Sequence, residues 1–194
     1  MSATAKLDVP LRTIDTAEGN GRKLLEQAKS QSGFVPNMYA GMVNSPGLLE
    51  TYLLGYERFR KESGFTPVEQ EVVLLTISRF HGCTYCMAAH SMIAAKMSKV
   101  PHDVLEALRN GKDLDDAKLS ALSRLTEVLL DQRGRPAPSD LAAFKEAGYT
   151  DRHVLEIILA IAVKTISNYS NHVLHTQVDA PFQSYAWQAN RSEQ

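Results

Sequence analysis

Residues 82–90 read Gly82-Cys83-Thr84-Tyr85-Cys86-Met87-Ala88-Ala89-His90, and the chain continues Ser91-Met92-Ile93-Ala94-Ala95-Lys96. After the first cysteine the composition favours helix, with alanine, methionine and lysine recurring and no glycine or proline. A helix therefore begins at the cysteines and runs to about Ser98. The chain has 194 residues, and its two cysteines are both in this stretch. A C-x-x-C pair that uses every thiol of a chain points to redox or metal chemistry. At a helix start, the unpaired backbone N–H groups and the positive end of the macrodipole favour a thiolate. Cys86 is accordingly the most informative residue of the sequence.

Working outward, the whole chain reads as helices. Thr66-Pro67-Val68-Glu69 is a strong helix start, with an N-cap, a proline at the first helical position and a capping-box glutamate. That helix carries Val72, Val73, Leu74, Leu75 and Ile77 and ends near His81-Gly82. Upstream, residues 1–19 read as an extended arm, Arg22 to Gln31 as a short amphipathic helix stopped by Gly33, and Gly33 to Asn37 as a turn. Pro46 opens a helix to about Lys61, with Leu48, Leu49, Tyr52, Leu53, Tyr56 and Phe59 at three- and four-residue intervals. Downstream, Pro101 starts a short helix, and longer ones cover Asp115 to Gln132 and Ser139 to Glu146. The last runs from Asp151 to about Gln177. No strand-like alternation and no repeat occurs, so the expected fold is all-α, one domain over 1–194. Residues Val154 to Val163 are apolar nearly all round, which calls either for central burial or for cover by a second subunit.

Composition narrows the function classes. The chain is 44% hydrophobic and 22% charged, as an ordinary globular protein is. A net charge of -1 gives no electrostatic argument for nucleic acid or an anionic membrane surface. No apolar run reaches the roughly 18 residues of a membrane span, and Met1 to Asp15 has no signal-like apolar segment. The expected compartment is the cytoplasm, where a C-x-x-C pair cycles rather than staples. No glycine-rich phosphate loop or dinucleotide fingerprint is present, so no bound nucleotide, flavin or other cofactor is expected.

Helix geometry assembles a site from these residues. Cys83, as the half-in cap, can bend toward Cys86 and form a reversible disulfide. Cys86 and His90 are one turn apart on one face. Lowering a thiol pKa by two units takes about 2.7 kcal/mol. A helix N-terminus supplies up to about 2 kcal/mol of that. If Gly82 reverses the chain into an antiparallel hairpin, His90 comes near Leu74, one turn from Glu71. The relay read from this is Glu71 to His90 to Cys86, with Cys83 as second thiol and with the Glu71 pKa raised by partial burial.

Glu71, eleven intervening residues, then Cys83-x-x-Cys86-x-x-x-His90 resembles the signature of the alkylhydroperoxidase D and carboxymuconolactone decarboxylase family, in particular its peroxidase-related members. The resemblance implies an alkylhydroperoxidase-D-like helical fold assembled as trimers or hexamers. It implies a thiol peroxidase acting on organic hydroperoxides or hydrogen peroxide. Cys86 would be the peroxidatic thiol, passing through a sulfenic acid. Cys83 would resolve it to a disulfide, and Glu71 and His90 would relay protons. A lipoyl-type or thioredoxin-like dithiol would then restore the pair. Where the family's best-known member has a histidine just before the second cysteine, this chain has Tyr85.

Other readings of the same residues stand beside this one. Cys83, Cys86 and His90 could be zinc ligands with His81 or a distant histidine as the fourth, although no second ligand pair at zinc spacing is present. The pair could sense oxidation in a non-catalytic oligomer, or be incidental in an enzyme acting on a small lactone or acid. Asn168, His172 and His175 share a helix face and read as a polar seam or as pocket lining. His102 and His153 read as surface residues, and Trp187 as an anchor for the C-terminal tail.

Overall fold

Thr66 and Pro67 start the helix on which the others pack. In the computed structural model, which describes residues 4–188, the Thr66 hydroxyl accepts from the Glu69 N–H at 3.3 Å and the Glu69 carboxylate accepts from the Thr66 N–H at 2.8 Å. The resulting helix, Pro67–Phe80, is buried without a break from Glu69 to Ser78. It is the fourth of nine α-helices among the described residues, and no strand occurs among them. The order is α1 Gly19–Ser32, α2 Asn37–Met42, α3 Pro46–Glu62, α4 Pro67–Phe80, α5 Thr84–Ile93, α6 His102–Asn110, α7 Ala117–Asp131, α8 Pro138–Glu146 and α9 Asp151–Leu174. A π-turn, Ala94–Ser98, extends α5, and a 3-10 segment, Ala180–Tyr185, follows α9. The fold of the described residues is all-α. No described helix is long and apolar enough to cross a membrane.

Two apolar clusters flank α4 and α5. The larger gathers Phe59, Phe65, Leu74, Met87, Leu125 and Phe144 between α4, α6, α7 and α8. The smaller gathers Leu25, Met42, Leu49, Tyr52 and Val163 around Cys83 and Cys86. Helices α3 and α9 close over the thiols, and Gly55 makes their approach possible. A Cβ there would lie 2.7 Å from Val163 Cγ2, and a β-branched side chain cannot rotate away from it.

Four local expectations differ from what forms. Helix α1 begins at Gly19 rather than Arg22. The turn ending at Asn37 instead opens a helix, α2. Its first N–H is held by Asp179, at 3.2 and 3.3 Å from the two carboxylate oxygens, a cap 142 positions away in the chain. The cysteine helix does not run regularly to Ser98 but widens into the π-turn. Helix α9 stops at Leu174, because His175 takes a left-handed conformation at φ 49°. Helix α9 answers the question left open by its apolar run: Ile157, Ala160 and Val163 are buried, while Leu155 and Ile158 are exposed. The first three residues of the expected arm lie outside the described residues. Trp187 does anchor its segment, donating to the Arg109 carbonyl at 2.7 Å.

Gly55→Ala should therefore be destabilising even though alanine is the better helix former. The expected loss is about 1–3 kcal/mol from overpacking against Val163. Urea unfolding checks it, and an unchanged or raised midpoint would contradict the close α3–α9 packing.

Candidate active site

The chain reverses between α4 and α5 at His81-Gly82. Gly82 has φ 65°, a left-handed conformation that glycine adopts without strain, and the Cys83 N–H reaches back to the Ser78 carbonyl at 2.9 Å. Cys83 is the N-cap of α5, and its carbonyl accepts from the Met87 N–H at 2.9 Å. Cys86 is thus in the first turn, where backbone N–H groups lack helical partners. Both cysteines are free thiols and are buried. The hairpin places His90 against Glu71, with Nδ1 3.0 Å from Oε2.

Glu71 has no exposed surface and accepts from three directions. His90 holds one carboxylate oxygen. Arg60 Nη2, from the end of α3, lies 2.5 Å from the other. Ser98 Oγ, carried round by the π-turn, lies 3.3 Å from that same oxygen. Arg60 also donates to Tyr56 OH at 2.7 Å and to Gln70 Oε1 at 3.1 Å. Burial pushes the Glu71 carboxyl up, but His90 and Arg60 outweigh it, and its pKa lies below the ordinary value. That reverses the raised pKa expected from the sequence, because the compensating guanidinium comes from another helix. Since an ionised carboxylate only accepts, His90 Nδ1 carries the hydrogen and Nε2 is left as an acceptor. Burial, then the Lys164 charge, depress His90 below its ordinary value against the pull of Glu71, so the ring is neutral near pH 7.

Helix α9 supplies the other wall. Asn171 Nδ2 lies 3.3 Å from Cys86 Sγ and 3.8 Å from Cys83 Sγ, with Met38 Sδ at 3.2 Å. Ser167 Oγ is 3.9 Å from Cys86 Sγ. Lys164, one turn earlier, is fully buried and its Nζ has no hydrogen-bond partner. Burial pushes the Cys86 thiol up. The hydrogen bond from the Cys83 thiol and the positive charge of Lys164 more than reverse this, and Cys86 lies well below the usual thiol range. Cys83 is held well above it by the same hydrogen bond and by burial. The opposite directions of the two shifts favour ionisation at Cys86 over Cys83. A cleft of about 280 Å³ reaches Cys83 from the end of α9, lined by Thr84, Asn171, His172 and His175 among others.

The structure thus brings Glu71, His90, Cys86 and Cys83 into one place. Lys164, Ser167, Asn171 and Arg60 join them without having been singled out in the sequence. A signal for the α9 residues was present: Lys164, Ser167, Asn168 and Asn171 sit at helical spacing after an apolar run. The seam read as Asn168, His172 and His175 divides. Asn168 is buried and its Oδ1 lies 2.9 Å from His81 Nδ1, whereas His172 and His175 are exposed at the cleft. His81 also packs edge-on against Tyr169. His153 is half-buried rather than a surface residue, its ring 4.8 Å from that of Phe65. Among the described residues no group of three or more His, Cys, Asp or Glu side chains is placed to hold a metal ion.

The carboxymuconolactone decarboxylase family model matches residues 46–127, the span from the start of α3 to the middle of α7 that contains the whole motif. Over that span the chain is similar to the carboxymuconolactone decarboxylase family. Among solved structures, it is similar to an alkylhydroperoxidase AhpD core, a peroxidase-related protein from Ralstonia eutropha JMP134. The two share 20% identity at a TM-score of 0.79, over 93% of this chain and 96% of that one. A peroxidase-related protein from Silicibacter sp. TM1040 matches at 19% identity and TM-score 0.76, over 92% and 93% of the two chains. The debrominase Bmp8 matches at 18% and 0.72, over 91% and 94%. A cysteine-to-alanine variant of Bmp8 has been solved with 2,3,4-tribromopyrrole. At these identities the likeness is one of fold. No curated protein sequence matches significantly.

This protein should be labile to acid. Burial is the main cause that keeps His81 and His90 below the ordinary histidine value of 6.5. Below that pH the unfolded chain takes up more protons than the folded one, so stability falls as pH falls. Glu71, held below its ordinary 4.5, adds a second loss at lower pH. The urea midpoint should drop between about pH 7 and about pH 5 and drop further below that. His81→Gln should flatten the first drop; a wild-type midpoint that rises over that interval would refute the assignment.

Proposed function

We propose that this protein is a thiol peroxidase of the alkylhydroperoxide reductase type. The observation that carries the reading is the placement of the pair: Cys83 caps α5, Cys86 lies in its first turn with Asn171 against both sulfurs, and His90, one turn on, is fixed by Glu71. The thiolate attacks one peroxide oxygen, forming an S–O bond as the O–O bond breaks. The product is a Cys86 sulfenic acid and an alkoxide or hydroxide that takes up a proton. Cys83, with its proton drawn off toward His90, then attacks the sulfenic sulfur. The S–S bond forms as hydroxide leaves, and that proton completes a water molecule. An external dithiol of lipoyl or thioredoxin type reduces the disulfide through the cleft at Cys83. The proposed setting is the cytoplasm. The proposed assembly is a homo-oligomer, trimer or hexamer, packed through the exposed apolar side chains Leu54, Leu155 and Ile158.

Reductive debromination is the second reading, favoured by the likeness to Bmp8. The same thiolate would take bromine from carbon as the carbon gains a proton, and Cys83 would displace bromide to give the same disulfide. The two readings share the thiol pair and differ in the oxidising substrate.

Single-turnover oxidation separates them. Reduced protein mixed with one equivalent of tert-butyl hydroperoxide should lose two thiols to a Cys83–Cys86 disulfide. Cys86→Ser should show no peroxide consumption above background. Cys83→Ser should stop at a sulfenic acid, and His90→Ala should slow the reaction at least about tenfold. Undiminished peroxide reduction by Cys86→Ser would overturn the proposal. Inertness to peroxide combined with oxidation by 2,3,4-tribromopyrrole would transfer it to the second reading.

A further inference from the structure

Three buried polar atoms on one face of α9 have no hydrogen-bond partner: Lys164 Nζ, Asn168 Nδ2 and Asn171 Oδ1. The residues that carry them are each at least nine-tenths buried, and Lys164 has no exposed surface at all. Ser167 and Asn171, on the same face, contact Cys86, and Asn168 contacts His81. Lys164 lies within electrostatic reach of Cys86, His90 and His81. An interior lysine whose polar neighbour is the Cys86 sulfur, with no oxygen or nitrogen partner, is costly, and an apolar residue of similar volume in its place is often neutral or stabilising. Packing therefore does not account for it. The motif shared with the family does not include it, and the relay from Glu71 to His90 does not use it.

We propose that Lys164 is a catalytic residue of the thiol centre: its Nζ is the counter-cation of the Cys86 thiolate and the proton donor to the oxygen that the thiolate expels. The naming of oxygen as the leaving atom rests on the peroxidase reading above. The chemistry balances without a further reactant. In the reduced state the Lys164 ammonium and the Cys86 thiolate cancel. As the S–O bond forms and the O–O bond breaks, the departing alkoxide takes a proton from Nζ and leaves as an alcohol. The sulfur has been oxidised, the peroxide reduced, and Lys164 is now a neutral amine. Condensation with Cys83 releases water and leaves a neutral disulfide beside a neutral amine. Reduction by an external dithiol returns two thiols. The Cys86 proton then passes to Nζ and restores the ion pair. The interior is uncharged along this edge at every stage, which a permanently charged group would not allow.

His90 does not serve as well for the donor step. It faces the Glu71 carboxylate on α4, with Arg60 and Tyr56 of α3 behind, and its ring is neutral in the resting state. His81 of α4 is turned to Asn168, and His172 of α9 is exposed. Lys164 is the remaining cation against the thiolate among the described residues.

The test compares the full-length wild type with Lys164→Met and Lys164→Arg in single-turnover oxidation by two peroxides of different leaving group. tert-Butyl hydroperoxide expels an alkoxide that needs a proton; peracetic acid expels acetate, which does not. Lys164→Met should lower the rate with tert-butyl hydroperoxide at least about 100-fold and change the ratio of the two rates at least about tenfold. It should also melt at a higher temperature than the wild type. Lys164→Arg keeps the charge but holds its proton too tightly to donate. It should retain thiolate ultraviolet absorbance near neutral pH while remaining slow with tert-butyl hydroperoxide. Equal losses with both peroxides, or no loss, overturn the donor role. A wild type inert to both peroxides overturns the peroxidase reading alone. The thiolate titration, taken as a difference from Cys86→Ser proteins, then decides. A midpoint raised by about one pH unit or more in Lys164→Met sustains the counter-cation, and an unchanged midpoint overturns it.

Discussion

Charge inside a helical core must cancel locally, and the site is built around that requirement. Glu71 and Cys86, each held below its ordinary pKa, are the two interior groups that favour negative charge. Arg60, half-withdrawn from solvent, answers the first, and Lys164 answers the second. Burial, then the Lys164 charge, outweigh the pull of Glu71 and keep His90 neutral. A neutral imidazole whose Nδ1 donates to a carboxylate presents Nε2 as an acceptor, the state a proton carrier between two thiols needs. Each of the four charged groups comes from a different helix, so the ionic arrangement exists only when α3, α4, α5 and α9 are all in place. Chemistry and folding are coupled through it.

What the sequence made legible is what short-range helix geometry controls. Cys83, Cys86 and His90 lie within eight positions of one another, and helical spacing alone puts them on one face. Glu71 joined them through a hairpin whose reversal point, Gly82, could be read directly. The capping box at Thr66 and Glu69 was equally local, and it formed. What the sequence hid is what arrives from far along the chain. The cap of α2 is Asp179, so residues 33–37 looked like a turn with nothing to follow. The direction of the Glu71 pKa depended on Arg60, which read as a basic helix end. Lys164 follows a ten-residue run that is apolar but for Glu156, and of the neighbouring Asn168, His172 and His175 that drew attention only Asn168 lies on the buried face.

Tyr85 illustrates how a position in a motif can be put to structural use. It stands where the best-known relative has a histidine, yet its hydroxyl donates to Asp179 at 2.5 Å, away from the sulfurs. The same Asp179 caps α2, so one carboxylate ties the cysteine helix, the second helix and the segment after α9 together. Peroxidase-related proteins and a debrominase share this backbone arrangement, which fits the general experience that a fold does not dictate a reaction. Distinctions within the fold are to be sought in the side chains that face the sulfur, above all along α9.

The π-turn after α5 bears on chain length. Ala94–Ser98 accommodates a wider turn than an α-helix, closed by the Val100 N–H on the Ala94 carbonyl at 2.9 Å, and such a turn is in effect a helix with one residue inserted. Removing a single residue there would restore α-helical winding and swing all that follows by roughly 100° about the helix axis. Ser98 would leave the Glu71 carboxylate, and α6 would meet α4 with the wrong side. Within this stretch Met97 is exposed, whereas Ala94 is buried and Ser98 reaches Glu71. The count of residues between the Cys83-x-x-Cys86 pair and α6 is therefore tied to the winding of this turn as well as to the Ser98–Glu71 contact.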